Sequence, residues 1–222
     1  MMIRFKALVL IVLCSTQLTF AMGGKSMTLL QAQSNEKSIV AGGIGIGVGV
    51  FSPAEVNEYI EDQTSHLTIF GGTTGLIANF FGKASITVRP HRIIEISGFI
   101  EGAWAPKYIM VDVGDDYYFS FTRVSPGVSP KIHIPIGTGR HSIYFAPAVT
   151  YNFLKFKDGQ SSQPEFKGNS LGGKIQIGFN FDFRKIQLQP FIGYDHAKAT
   201  DTDSGGFELN YSAAQLGVEF HF

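Results

Sequence analysis

Strict two-residue alternation is the feature that most restricts what this chain can fold into. Between Leu171 and Phe183, the set Leu171, Gly173, Ile175, Ile177, Phe179, Phe181 and Phe183 alternates with Gly172, Lys174, Gln176, Gly178, Asn180 and Asp182. A period of two places the sets on opposite faces of an extended strand, one apolar and the other small or polar. The pattern recurs along the chain. Ile44, Ile46, Val48 and Val50 alternate with Gly43, Gly45, Gly47 and Gly49, and Val128, Ile132, Ile134 and Ile136 oppose Ser129, Lys131 and His133. Ile143, Phe145, Val149, Tyr151 and Phe153 oppose Ser142, Ala146, Ala148, Thr150 and Asn152. Strands are predicted near 39–51, 75–89, 92–106, 117–136, 140–156, 169–183, 186–199 and 207–222. Two stretches break parity: Tyr117, Phe119, Phe121 and Phe207, Leu209, Tyr211 carry bulk on the other face. Either a bulge or a change of environment at the rim produces this, and the pattern alone leaves both open.

The connections alternate in length. Long segments at 52–74, 107–116, 157–168 and 200–206 interleave with the short turns Pro90-His91, Gly137-Thr138-Gly139 and Arg184-Lys185. Every short turn falls on one side, an asymmetry typical of barrels that cross an outer membrane with tight periplasmic turns and longer external loops. An even strand number brings both chain ends to the short-turn side, so an up-and-down sheet can close on itself.

A soluble barrel of similar size would put its apolar set inside and a charge-rich set outside. Here only 16% of residues are charged, while Gly (26) and Phe (20) are abundant. The polar set is mostly Gly, Ser, Thr, Asn, Gln and Ala, which suits a crowded lumen, and the Ile, Val and Phe set suits hydrocarbon. Trp104, Tyr108, Tyr117, Tyr118, Tyr151, Tyr194 and Tyr211 fall near strand ends, where an aromatic girdle is expected. The fold class expected is therefore all-β: a transmembrane, up-and-down antiparallel β-barrel of about eight strands. Formal charge sums to zero, which gives no electrostatic case for nucleic acid.

Arg4 and Lys6 precede the apolar run Ala7–Leu13, and Thr19-Phe20-Ala21 offers a small-x-small cleavage site, so residues 1–21 read as a secretory signal. The apolar run is broken by Cys14, Ser15, Thr16 and Gln17, too soon for a membrane-spanning helix. Cys14 is the single cysteine, and with its removal the exported chain carries no disulfide. Residues 22–38 read as a flexible periplasmic lead and 39–222 as the barrel domain.

The terminal Leu216-Gly217-Val218-Glu219-Phe220-His221-Phe222 alternates and ends on Phe. It is similar to the C-terminal assembly signal of bacterial outer-membrane proteins, with Phe220 and Phe222 as its apolar positions. With the strand count, the chain from about residue 39 onward resembles the small outer-membrane β-barrel family that includes the OmpA transmembrane domain and OmpX. The resemblance implies delivery to the barrel-assembly machinery through the C-terminal strand, residence among outer-membrane lipids, and no fixed biochemical activity.

No cofactor, metal or catalytic set is expected. The glycines at 43–49 have Val48 where a dinucleotide fingerprint needs its last Gly, and the run is itself a strand. His66, His91, His133, His141 and His221 lack metal-ligand spacing. His196 with Asp195, Asp201, Asp203 and Ser204 could compose an acyl-transfer site, but an acidic Ser/Gly-rich loop is usually only solvated. Ser52-Pro53-Ala54-Glu55 reads as a helix start, with Val56, Tyr59 and Ile60 as one apolar stripe of a short helix to Asp62. Parity places five cations (Lys83, Arg89, Arg123, Lys131, Lys174) and five anions (Glu95, Glu101, Asp182, Asp195, Glu219) in the lumen, beside His133 and His221. These charges are expected to pair across a filled lumen, with Glu95 or Glu101 as counter-ion to Arg123 and Lys174. The function expected is an integral outer-membrane barrel with a structural or surface-interaction role. A small-solute pore and an outer-leaflet lipid-modifying enzyme are the alternatives.

Overall fold

The computed structural model describes residues 39–51, 77–109, 117–137, 141–158, 166–183, 186–201 and 208–222, together with Glu58. The expected signal and lead and, apart from Glu58, the candidate helix in 52–62 lie outside the described residues. Eight strands form a closed barrel: β1 (Ile39–Phe51), β2 (Ile77–His91), β3 (Ile94–Ile109), β4 (Tyr117–Pro135), β5 (Ser142–Asp158), β6 (Phe166–Asp182), β7 (Gln187–Asp201) and β8 (Glu208–His221). Each strand pairs antiparallel with the next, and β1 closes the ring against β8. The closing ladder is extended by reciprocal backbone bonds between Gly42 and Phe222, at 3.0 and 2.9 Å.

The short turns share one end. β2 and β3 meet through Arg92 and Ile93, with a register shift between Val88 and His91. Between β4 and β5, Ile136 N–H donates to His141 O at 3.0 Å, and Gly137 takes a φ of 62°, where a side chain would be strained. Phe183 N–H donates to Ile186 O at 2.9 Å to close the third turn.

Register sets the tilt. Stepping across paired residues from Lys167 leads through Lys155, Thr122, Trp104, Phe80, Val48, Leu216 and Ile192, and returns to β6 at Ile177, ten residues from the start. A stagger of that size tilts the strands, and the row descends about 25 Å along the barrel axis, roughly 3 Å per strand. Thr122 is half-buried and the rest of this row points outward. It runs from lysines through Thr and Trp to aromatic and then aliphatic side chains, the polarity profile of a headgroup layer passing into hydrocarbon. Ile46, Ile86, Ile100, Val128, Val149, Ile177 and Phe179 are among the large apolar side chains that remain exposed around the barrel.

Two ladders are interrupted: β6 and β7 skip pairs at 170–171 and at 179–180, and β4 and β5 skip pairs around their prolines. β4 pairs with β5 at Val124/Phe153, Gly127/Thr150, Val128/Val149 and Ile132/Phe145, all in one register. That register puts Pro130 opposite Pro147 and Pro126 opposite Tyr151, inside the two gaps. Proline has no N–H to give to a ladder. Ser129 Oγ, on the lumen side, donates instead to the Pro147 carbonyl at 2.9 Å.

The lumen as candidate functional site

Alternation turns the polar face of each strand inward, and the lumen it fills has two zones. Toward the short turns lies a network of charges. Lys83 bridges to Glu219 at 2.6 Å, and Lys131 reaches Glu219 and Glu95 at 3.2 Å each. Glu95 also receives Arg89 at 2.5 Å and lies 3.1 Å from His133 Nε2. Lys131 Nζ further donates to Gln189 Oε1 at 2.7 Å. His221 Nε2 lies 3.3 Å from Glu219.

Farther from the turns, Arg123 bonds both Glu101 and Asp195 and donates to Asn152 Oδ1 at 3.3 Å. Lys174 bridges to the second oxygen of Glu101 at 2.5 Å, and Gln215 Nε2 donates to Glu101 at 3.3 Å. Glu101 is thus the shared counter-ion of Arg123 and Lys174, while Glu95 serves Arg89, Lys131 and His133. Of the ten charged residues expected inside, Arg89 and Asp182 are half-buried and the other eight are buried. Asp182 N–H donates to His141 Nδ1 at 3.3 Å.

The glycines of β1 explain how distant strands reach one another. Gly45 stands between Lys83 of β2 and Glu219 of β8 in both ladders. A Cβ there would meet Glu219 Cγ at 3.0 Å and Lys83 Cβ at 3.4 Å, so the bare backbone lets the pair bridge across β1.

Toward the long connections the lumen becomes apolar. Phe51, Ile77, Phe119, Phe121, Leu154, Phe156, Phe166, Leu209 and Tyr211 pack together there with Ala105, Ala197, Ala199 and Ala213. Phe121 and Tyr211 stack with ring centroids 5.5 Å apart, and Phe51 lies 4.9 Å from Phe121. The Arg123 guanidinium sits 4.5 Å from the Tyr211 ring centroid, joining the two zones, and Asn79 Nδ2 donates to the Tyr211 hydroxyl at 2.9 Å.

This layer accounts for the parity breaks at Phe119, Phe121, Leu209 and Tyr211. The register of β4 with β3 and β5 is unchanged past them, so no bulge turns them inward; the lumen itself changes from polar to apolar. Tyr211 is completely buried and is not a girdle residue, whereas Trp104, Tyr151 and Tyr194 face outward as a girdle requires. Sequence reasoning missed the layer, although apolar residues on both parities, as in Val50-Phe51 and Phe153-Leu154, are its signature.

Among the described residues the acyl-transfer combination is not assembled. Asp195 points into the lumen against Arg123, while the adjacent His196 is on the outer face, 2.8 Å from Ser212 Oγ. Asp203 and Ser204 lie outside the described residues. Among the described residues no group of three or more His, Cys, Asp or Glu could hold a metal ion. At the C-terminus, Phe220 and Phe222 both project outward from the closing strand.

No family model matches the chain, and no curated protein sequence does. Solved structures do. Neisserial surface protein A superposes with a TM-score of 0.52 at 9% identity, over 84% of this chain and 98% of its own. OprG of Pseudomonas aeruginosa gives 0.47 at 10% identity, over 82% and 95% respectively. Ail, the attachment invasion locus protein of Yersinia pestis, gives 0.45 at 13% identity, over 82% and 99%. At 9% identity the likeness to Neisserial surface protein A is one of fold. The apolar belt outside and the polar lumen within agree with it: this chain has the fold of a small eight-stranded outer-membrane β-barrel.

Proposed function

We propose that this barrel is sealed and non-catalytic, a structural element of the outer membrane whose interactions are made by its long connections. The observation that carries the reading is the two-zone filling of the lumen: an apolar aromatic layer lies over a charge-paired one. An eight-stranded barrel is just wide enough for its side chains to fill it, and buried charges that satisfy one another leave no wetted path. The outward phenyl rings of Phe220 and Phe222 fit a strand delivered to the barrel-assembly machinery, and the apolar belt fits outer-membrane lipid as the permanent partner.

Single-channel recording of the purified, refolded chain in a planar bilayer tests the reading. Silence, or only brief low-conductance events, is expected. A large, stable, ion-selective conductance from the unmodified protein would overturn it in favour of a small-solute pore.

A further inference from the structure

The outward face is apolar through most of its height, and β7 breaks it. There Ile192 is followed upward by Tyr194 and then by His196, whose ring is exposed on the outer side of the wall. A stagger of ten residues spans about 25 Å, so each residue along a strand rises roughly 2.5 Å. His196, four residues above Ile192, therefore stands about 13 Å above Ile177, level with Phe80 and about 2 Å below Trp104. On β1 to β6 the outward side chains at that level are Val50, Phe80, Trp104, Val124, Tyr151 and Leu171. From there down to the short turns, no other Asp, Glu, His, Lys or Arg among the described residues faces outward. An ionisable group on the lipid side of a barrel is costly unless something there meets its polar atoms.

Hydrogen bonding within the wall meets only half of the ring. Nδ1 lies 2.8 Å from Oγ of Ser212, the directly paired residue of β8. Among the described residues neither Nε2 nor Ser212 has another partner. A Ser212 hydroxyl that donates to Nδ1 leaves Nε2–H as an outward donor, and in a protonated ring Nε2–H points outward as a donor again. The remaining tautomer makes Nε2 an acceptor but strands the Ser212 proton, which is expensive at the edge of hydrocarbon. On the other side of the ring the wall is bare. Gly173 of β6 pairs with His196, and a Cβ there would meet only the Ala148 carbonyl oxygen, at 3.9 Å. Gly173 floors a dimple, with Val149 and His196 beside it on neighbouring strands and Leu171 and Ile175 above and below.

We propose that this dimple seats one acyl linkage of an outer-leaflet lipid, whose carbonyl oxygen accepts Nε2–H of His196 while the chain beneath it passes over Gly173. The inference rests on the apolar belt facing outer-membrane lipid with the long connections outside. Depth agrees with it: acyl carbonyls lie where hydrocarbon gives way to headgroup, the level that the Trp104 indole marks. Chemistry agrees as well, since a carbonyl accepts and does not donate, and the unmatched group of the ring is a donor. Gly173 lies one strand step below His196, roughly 3 Å, so a chain running from the carbonyl toward mid-bilayer crosses the bare backbone. Exposed Val149, Leu171 and Ile175 give that chain apolar contact.

A choice between two lipids that differ only at the linkage tests this. The full folded chain is taken up from vesicles holding equal amounts of diacyl and dialkyl-ether phosphatidylcholine of one chain length, and native mass spectrometry counts the lipid that stays bound. The wild type should retain the ester lipid about fivefold over the ether, the net worth of one hydrogen bond. His196→Leu removes the donor and Gly173→Val fills the dimple, and both should retain the two lipids equally. Gly98→Val, outward on β3 with nothing within 4 Å, should keep the wild-type preference. Equal retention by the wild type overturns the proposal, as does an ester preference that survives in His196→Leu or in Gly173→Val. If His196→Leu does not fold, Gly173→Val decides by the same criterion. Heat-dependent migration on a gel reports barrel formation in the vesicles separately, so failure of the seat and failure of the membrane-barrel reading give different results.

Discussion

Glu101 is the residue whose removal should reveal most about how the lumen is held. It accepts Arg123 on one oxygen and Lys174 on the other. The two cations are not equally dependent on it. Arg123 keeps Asp195 and Asn152, whereas for Lys174 there remain the ring faces of Phe81 and Phe191, at 5.3 and 5.9 Å. Removing one partner of a buried pair costs about 3–5 kcal/mol, and a cation–π contact returns about 1 kcal/mol. Glu101→Gln should therefore cost about 3 kcal/mol, more than a hundredfold in the folding equilibrium. Lys174→Met should cost less, about 1–2 kcal/mol, because Arg123 and Gln215 still satisfy Glu101. The double variant leaves Arg123 and Asp195 as a balanced pair and should recover most of the loss, with a coupling of about 2 kcal/mol or more. Urea titration of the barrel refolded in lipid vesicles, followed by the heat-shift gel, measures all three. If the double variant loses the plain sum of the single losses, Glu101 and Lys174 do not act as a pair and the lumen is not held by mutual charge compensation.

Three further outcomes follow from facing and packing. Ile177→Arg should cost about 2–4 kcal/mol in the same titration if its outward side chain lies at mid-bilayer; tolerance equal to that of an uncharged polar replacement at Ile177 would show the face to be wrong. Gly47→Ala should lose about 1–3 kcal/mol, since its Cβ would lie 2.3 Å from Phe81 Cζ and 2.4 Å from the Leu216 carbonyl oxygen. Gly82→Ala, with nothing within 4 Å, should be silent, and equal losses at both sites would contradict the packing. Phe121→Ala combined with Tyr211→Ala opens the apolar layer and should raise leak current in planar bilayers, and an unchanged baseline would show that the charged zone seals by itself.

Strand number and position were legible because a period of two survives along nearly every strand. The stretch 39–51 coincides with β1, and 169–183 differs from β6 by three residues at its start. Facing was legible for the same reason, down to Lys83 and Glu219. Pairing was not. Parity tells which face a charge occupies, but height in a tilted barrel depends on the stagger, which no single strand contains. Only the closed register brings Arg123 to Asp195 and leaves Glu95 to Lys131. The apolar layer escaped for a different reason: alternation by itself implies one lumen of one polarity, and Tyr211, amphipathic enough for a rim, suits a buried contact with Arg123 and Asn79 equally well.

The prolines in the ladder between β4 and β5 bear on how the barrel deforms. A closed ring of hydrogen bonds resists shear most where every rung is present, and here the rungs fail on both strands at one height, with Pro130 facing Pro147. The Ser129 hydroxyl replaces part of the lost bonding, but a side chain on a rotatable bond is a softer tie than a backbone amide. The crease lies between the first four strands and the last four, diametrically across from the junction where β1 meets β8. The β6–β7 ladder, with Pro190 in one of its gaps, is broken too, so both interrupted ladders lie in the β4–β7 half of the cylinder, away from the unbroken ladders on either side of β1. Lateral pressure from crowding in the bilayer would then deform that side of the barrel before stretching any unbroken ladder.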